Sequence, residues 1–186
     1  MDDPVMRTTT PNDPRAALRR TLARVLLRML RVSVQRRQQT EEALGRTACI
    51  LACNHQSFLD GVVLALCSPR PLVFTCEPLY ATHTWWSKCV LDAFTWLGYG
   101  TVIPLGRDNP WAMRSVAQAV QAGRSIVIFP EGQISADGTD GPVMPGLAWL
   151  QTKLNCPVIE LRIEGAQRSR LFAKRGDQWW PRIQVR

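Results

Sequence analysis

The sequence predicts an α/β fold: a layered domain with a largely parallel central sheet flanked by helices, preceded by a basic amphipathic helix. Two observations carry this expectation. Short strand-like runs at 47–52, 71–76, 100–105, 124–129 and 157–163 alternate with helix-like runs at 59–67, 85–97, 110–122 and 145–154. That is the pattern of parallel strands joined by crossover helices. The second observation is the break at residues 53–60, where a strand-like run passes through a polar loop into a helix. Strand ends of this kind are where α/β proteins place their chemistry.

At 186 residues, 46% of them hydrophobic and 20% charged, the chain is one domain with enough apolar surface for its own core. Its formal net charge of +8 points to an anionic partner: nucleic acid, an anionic membrane surface, or phosphorylated substrates. No uninterrupted apolar run reaches the roughly 18 residues of a membrane-spanning helix. Arginines break up what would be the core of a secretory signal. A cytosolic protein is therefore expected, and if it is bound to a membrane, a peripheral one at the cytoplasmic face of the cell membrane.

Residues 1–12 are polar and proline-bearing, as a mobile terminus is. Asp13 and Pro14 then suit a helix cap and first helical position. Within 13–37, Leu18, Leu22, Val25 and Met29 form one stripe, widened by Leu26 and Leu30, while Arg20, Arg24, Arg28 and Arg31 follow another face. A helix of this type suits an anionic bilayer, with leucines in the acyl boundary and arginines at headgroups. The competing reading is a helix packed on the protein's own core with a solvated basic face. Residues 38–45 form a polar connector, and 46–186 form the main domain.

Pro110 and Gly123 bracket the helix expected at 110–122. The apolar stretch at 85–98, with Trp85, Trp86 and Trp96, suits either core or a bilayer interface, as do Trp179 and Trp180. Residues 135–142 are acidic and glycine-rich without calcium-loop spacing, and are expected to be a flexible turn or lid. None of the six cysteines forms a C-x-x-C pair. Cys49 and Cys53, four apart on a strand, share a face and are expected to pack, so neither a metal nor a cofactor is expected. The chain ends at Arg186 inside a strand-like run, as a fragment or a version lacking its last sheet elements would.

His55 is one of two histidines, and it stands in the strand-to-helix break. Asp60, five residues on, sits where a turn would fold its carboxylate back onto the imidazole. A histidine held by a carboxylate is oriented and more basic, as a general base requires. Helix capping by Asn54, Ser57 or Asp60 would explain the same residues without catalysis.

Three blocks in order decide between these readings. The segment Asn54-His55-Gln56-Ser57-Phe58-Leu59-Asp60 resembles the N-H-x-S-x-x-D block of the glycerolipid acyltransferase family. Phe129-Pro130-Glu131-Gly132 is similar to its F-P-E-G block, and the strand from Cys156 to Ile163 to its late V-P-V-type strand, with Glu160 where proline is common. Ile134 and the Ile163-Glu164-Gly165 segment look most like the acyltransferase portion of bacterial 2-acylglycerophosphoethanolamine acyltransferases.

The resemblance implies transfer of a fatty acyl group from an acyl thioester, on acyl carrier protein or coenzyme A, to the free hydroxyl of a lysophospholipid. His55 would be the base and Asp60 its orienter, with no enzyme nucleophile, because the thioester is already activated. The absence of a G-x-S-x-G elbow fits such direct transfer. The resemblance assigns Phe129, Pro130, Glu131 and Gly132 to the acceptor, and Arg107 to the phosphate, although the spacing of Arg107 from Gly100 is one residue longer than usual.

Relatives place positive charge where Gln133 and Ile134 stand, so a phosphodiester acceptor is expected over lysophosphatidic acid. The alternatives are a lysophosphatidic acid acyltransferase and a non-catalytic lipid- or acyl-carrier-binding membrane protein. No nucleic-acid motif is present, and the basic residues concentrate in one helix, so nucleic acid is not an expected partner.

Overall fold

The structure, a computed structural model, describes residues 14–35, 48–76, 92, 94–104 and 110–186. Helix α1 spans Pro14–Met29 and is followed by strand β1, Val32–Val34. Then come β2 (Ile50–Cys53), α2 (Asp60–Cys67), β3 (Leu72–Cys76), β4 (Gly100–Pro104) and α3 (Pro110–Gln121). The chain continues through β5 (Ile126–Ile128), α4 (Gly146–Leu154), β6 (Val158–Leu161), β7 (Ile163–Glu164) and β8 (Ile183–Val185). The α/β expectation holds: five strands pair in the order β4-β3-β5-β2-β6, every pairing parallel.

The strands are apolar on both faces because both faces are covered. Alternate residues of one strand point to opposite sides. On one side Leu51, Leu72, Phe74 and Val127 meet α1 and α2 through Ala23, Leu27, Val63 and Leu64. On the other, Ile50, Val73 and Ile126 meet α3 and α4 through Val116, Ala119, Val120 and Leu150. Each such side chain is almost wholly removed from water, worth about 1.5–3 kcal/mol apiece for the larger ones.

The helix expected over 13–37 ends at Met29. Arg31 adopts a left-handed φ of 53°, and the β-branched Val32 and Val34 then favour a strand. That strand pairs parallel with β8, which pairs antiparallel with β7, making a small second sheet. Nothing in the local pattern announces it, because each strand is three residues or fewer.

Helix α1 belongs to the folded core. Ala23 and Leu27 are buried against the α2 side of the sheet. The Arg19 guanidinium donates to the carbonyls of Gly98 and Pro69, and the Tyr99 hydroxyl donates to the Arg19 carbonyl. The packed-helix reading therefore holds for one face, yet Leu18, Val25 and Met29 stay exposed on another. The expectations for residues 1–12, the 38–45 connector and most of the 85–97 helix, with Trp85 and Trp86, lie outside the described residues.

Candidate active site

Strands β2 and β5 are adjacent and parallel, with Ala52 opposite Ile128. The loops leaving their carboxyl ends therefore emerge side by side, which brings residues 74 to 80 apart in sequence into contact. Phe129 follows β5 directly, and its ring stacks on the His55 imidazole with centroids 4.0 Å apart and planes 17° apart. The His55 backbone N–H donates to Glu131 Oε1 at 3.3 Å, and its carbonyl accepts from the Ser135 N–H at 2.8 Å. Asn54 anchors the same loop to β7: its Nδ2 donates to the Ile163 carbonyl at 3.0 Å and its Oδ1 accepts the Ile163 N–H at 2.7 Å.

Asp60 is fully buried. Its Oδ2 lies 3.0 Å from His55 Nδ1 and also accepts the N–H groups of Gln56 at 2.6 Å and Ser57 at 2.7 Å. Its Oδ1 accepts from Ser57 Oγ at 2.7 Å. A carboxylate only accepts, so Nδ1 carries the imidazole proton and Nε2 is left as the basic nitrogen. The His55 side chain retains 20% of its exposure, so the imidazole is reachable while its carboxylate partner is sealed. The capping alternative does not hold for α2: the residue before it is Leu59, and no side chain caps the helix.

The 129–132 turn is equally specific. Gly132 has φ 68°, a left-handed value that favours glycine, and a Cβ there would fall 2.6 Å from Met144 Sδ. Its own N–H donates to the Phe129 carbonyl, so that amide closes the turn. The Pro130 carbonyl accepts the Met144 N–H at 2.7 Å, and the Glu131 side chain is buried. Arg107 lies outside the described residues.

The loop expected to be a flexible turn or lid is stitched to the site. Gln56 Nε2 donates to the Gly138 carbonyl, Asp137 accepts from Thr139, and Ser135 Oγ donates to the Thr139 carbonyl. Asp140 pairs with Arg162 at 2.7 Å.

Two features escaped sequence reasoning. Lys174 Nζ donates to the Ile134 carbonyl at 2.7 Å, setting an ammonium group on the turn after Gly132 from 40 residues away. Only the tertiary fold joins them. Asn54 acts as a clamp between strands, for which local sequence carries no signal beyond the residue type.

Cys49 and Cys53 are both buried. Burial pushes the Cys53 thiol well up, and the Asp60 charge adds to this, so it is a packing group. Among the described residues, no group of three or more metal-ligating side chains forms.

Residues 31–164, which include His55, Asp60 and the 129–132 turn, match the family model described as Acyltransferase. The chain belongs to the glycerolipid acyltransferase family. This acyltransferase-family chain is 28% identical over 127 residues to the 1-acyl-sn-glycerol-3-phosphate acyltransferase BAT2, chloroplastic, of Brassica napus. That similarity covers 64% of the chain and 33% of the plant protein, so the chain spans about a third of that relative's length. The crystal structure of the 1-acyl-sn-glycerophosphate (LPA) acyltransferase PlsC from Thermotoga maritima has a similar fold. The TM-score is 0.62 at 18% identity, over 92% of this chain and 67% of that one.

Proposed function

We propose that the chain is an O-acyltransferase that moves a fatty acyl group from an acyl thioester to the free hydroxyl of a lysophospholipid. The observation that carries this reading is the 3.0 Å contact between His55 Nδ1 and the buried Asp60 Oδ2. His55 Nε2 takes the proton of the acceptor hydroxyl as its oxygen attacks the thioester carbonyl. The tetrahedral intermediate then collapses, its C–S bond breaks, and the imidazolium returns the proton to the departing thiolate. Base catalysis of this kind contributes about 10²- to 10⁴-fold. Asp60 holds the tautomer and offsets the imidazolium charge. The donor is an acyl carrier protein or coenzyme A thioester; no cofactor takes part.

The acceptor's phosphate lies, in this reading, along the 129–134 turn, with Arg107 as a further cation. Gln133 is exposed, and the ammonium of Lys174 lies on the Ile134 carbonyl. The Arg162 guanidinium is engaged by Asp140 at 2.7 Å and lies 3.7 Å from Glu164. Among the described residues Lys174 reaches this turn, and with neutral Gln133 and Ile134 on it a phosphodiester's single charge is better matched than a monoester's near-double charge. A lysophosphodiester such as lysophosphatidylethanolamine is therefore the proposed acceptor. The second reading, lysophosphatidic acid, is favoured by the names of the plant relative and the bacterial structure. The enzyme works at the cytoplasmic face of an anionic membrane, to which α1 presents Leu18, Val25 and Met29 among exposed arginines.

The test offers a labelled acyl thioester with a panel of lysophospholipids to the wild-type chain and to His55→Ala. Transfer by the wild type and its loss in the variant support the reading. Equal transfer by both would place the base elsewhere.

A further inference from the structure

The C-terminal segment at 168–182 is an ordered loop that holds large apolar side chains outward. Trp179 is 62% exposed, Leu171 53% and Trp180 49%. Ser169, at its base, is buried and pairs with Gln178, which closes the loop. Gly176 packs so tightly on Ser169 that a Cβ would fall 2.0 Å from the Ser169 carbonyl oxygen. The outward tryptophans are thus held by a specific backbone. Five of these residues are cationic (Arg168, Arg170, Lys174, Arg175 and Arg182) against one acid, Asp177. The Arg170 guanidinium sits 5.1 Å from the centre of the Trp179 ring.

The loop joins two other features. Trp180 Nε1 donates to the Met29 carbonyl, and Arg31 donates to the Trp180 carbonyl, so the tryptophan pair abuts the end of α1. Met29, Val25 and Leu18 continue from there as one exposed stripe, spaced four and seven residues apart on the helix. At its other end, the Phe172 carbonyl accepts the N–H of Phe58, inside the catalytic loop, at 2.9 Å. Phe58 is itself 53% exposed. Exposed apolar side chains with arginines around them therefore stand on α1, on the loop and at Phe58 beside His55.

We propose that the 168–182 loop is a second membrane-docking element, which together with the outer stripe of α1 seats the protein on an anionic phospholipid bilayer. This rests on the acyltransferase reading only in naming the purpose, delivery of an acceptor that resides in the bilayer. The occupant follows from chemistry. Tryptophan and leucine favour the acyl boundary, arginine and lysine the headgroup phosphates, and cation–π contact keeps both at one depth. The excess of cations selects anionic lipid over a neutral surface. The hydrogen bond to Phe58 places the docked face beside the catalytic loop.

The experiment is co-sedimentation of the full chain with vesicles of phosphatidylcholine, with and without phosphatidylglycerol, at two salt concentrations. Leu171→Ser/Trp179→Ser is compared with wild type, and both are melted to establish that the variant folds. A Leu171→Ser single variant, at an exposed position, serves if the double variant does not fold, and Trp179→Phe, which keeps an apolar ring, is the control. Wild type should partition onto the anionic vesicles, and the double variant at least tenfold less. Trp179→Phe should retain most of the binding. Equal partitioning of wild type and a folded variant would overturn the proposal. So would binding indifferent to phosphatidylglycerol, or lipid-free self-association that the double variant abolishes while vesicle binding persists. Acyl transfer by the wild-type chain to a soluble short-chain acceptor is assayed alongside. Its absence, with vesicle binding still dependent on the loop, would remove the enzymatic reading and leave the docking face standing.

Discussion

The carboxylate of Asp60 binds His55 Nδ1 through the same oxygen that accepts the backbone N–H groups of Gln56 and Ser57. Orientation of the imidazole and folding of its loop are thereby one arrangement. Asp60→Asn turns an amide N–H₂ or a weaker carbonyl acceptor toward donors that already point inward. Loss of most activity is expected together with a destabilisation of about 1–3 kcal/mol. His55→Ala should instead lose about 10²-fold or more in kcat with little change in melting temperature. Steady-state kinetics and thermal melts of both variants check the contrast. An Asp60→Asn protein with near wild-type rate would sink the orienting role.

The stripe on α1, taken alone, implies that removing residues 1–37 costs membrane association more than turnover. The packing changes that expectation. Removal strips Ala23 and Leu27 from the core, the Arg19 bonds to Gly98 and Pro69, and strand β1. Stability, vesicle binding and turnover of a soluble substrate should all fall together. Leu27→Ala alone should cost about 2–5 kcal/mol, whereas Val25→Ser, at an exposed position, should leave the melting temperature within a few degrees. Retained turnover in the truncated chain would show that the domain folds without α1.

Charge at the 133–134 turn should set the acceptor. The unmodified protein is expected to favour a lysophosphodiester over lysophosphatidic acid by about tenfold in kcat/KM, the equivalent of about 1.4 kcal/mol. Gln133→Arg should shift the ratio toward the monoester. Kinetics that favour lysophosphatidic acid without any substitution would mean that Arg107, Arg162 or Lys174 already supplies enough charge.

Cys53 should resist alkylation in the native state. Burial and the adjacent Asp60 charge raise its thiol above the ordinary range, so the thiolate that reacts is scarce at neutral pH. The raised value makes its stabilising contribution complete below about pH 8.5, where the unfolded thiol is still neutral, and it declines as pH rises further. Site-resolved mass spectrometry after iodoacetamide treatment should find Cys53 modified only in denaturant. Rapid native labelling at pH 7 would refute this.

The sequence by itself determined the layered α/β architecture, since five apolar strand-length runs alternating with helices leave few other ways to cover both faces of a sheet. It also placed His55 and Asp60 in one loop, because they are five apart and a local turn can join them. What lies far apart along the chain only the tertiary structure decided. The stacking of Phe129 on His55 depends on β5 lying next to β2 in register. The Asn54 clamp depends on Ile163, and the ammonium on the 134 carbonyl comes from Lys174. The strands of the small sheet are too short to carry a periodic signal, so 32–34 reads as more helix until β8 is there to pair with it. Likewise the leucine stripe of α1 shows an apolar face but not its division. Packing against α2 sends Ala23 and Leu27 inward and leaves Leu18, Val25 and Met29 facing out, because a helix resting on a sheet can bury only one side of itself.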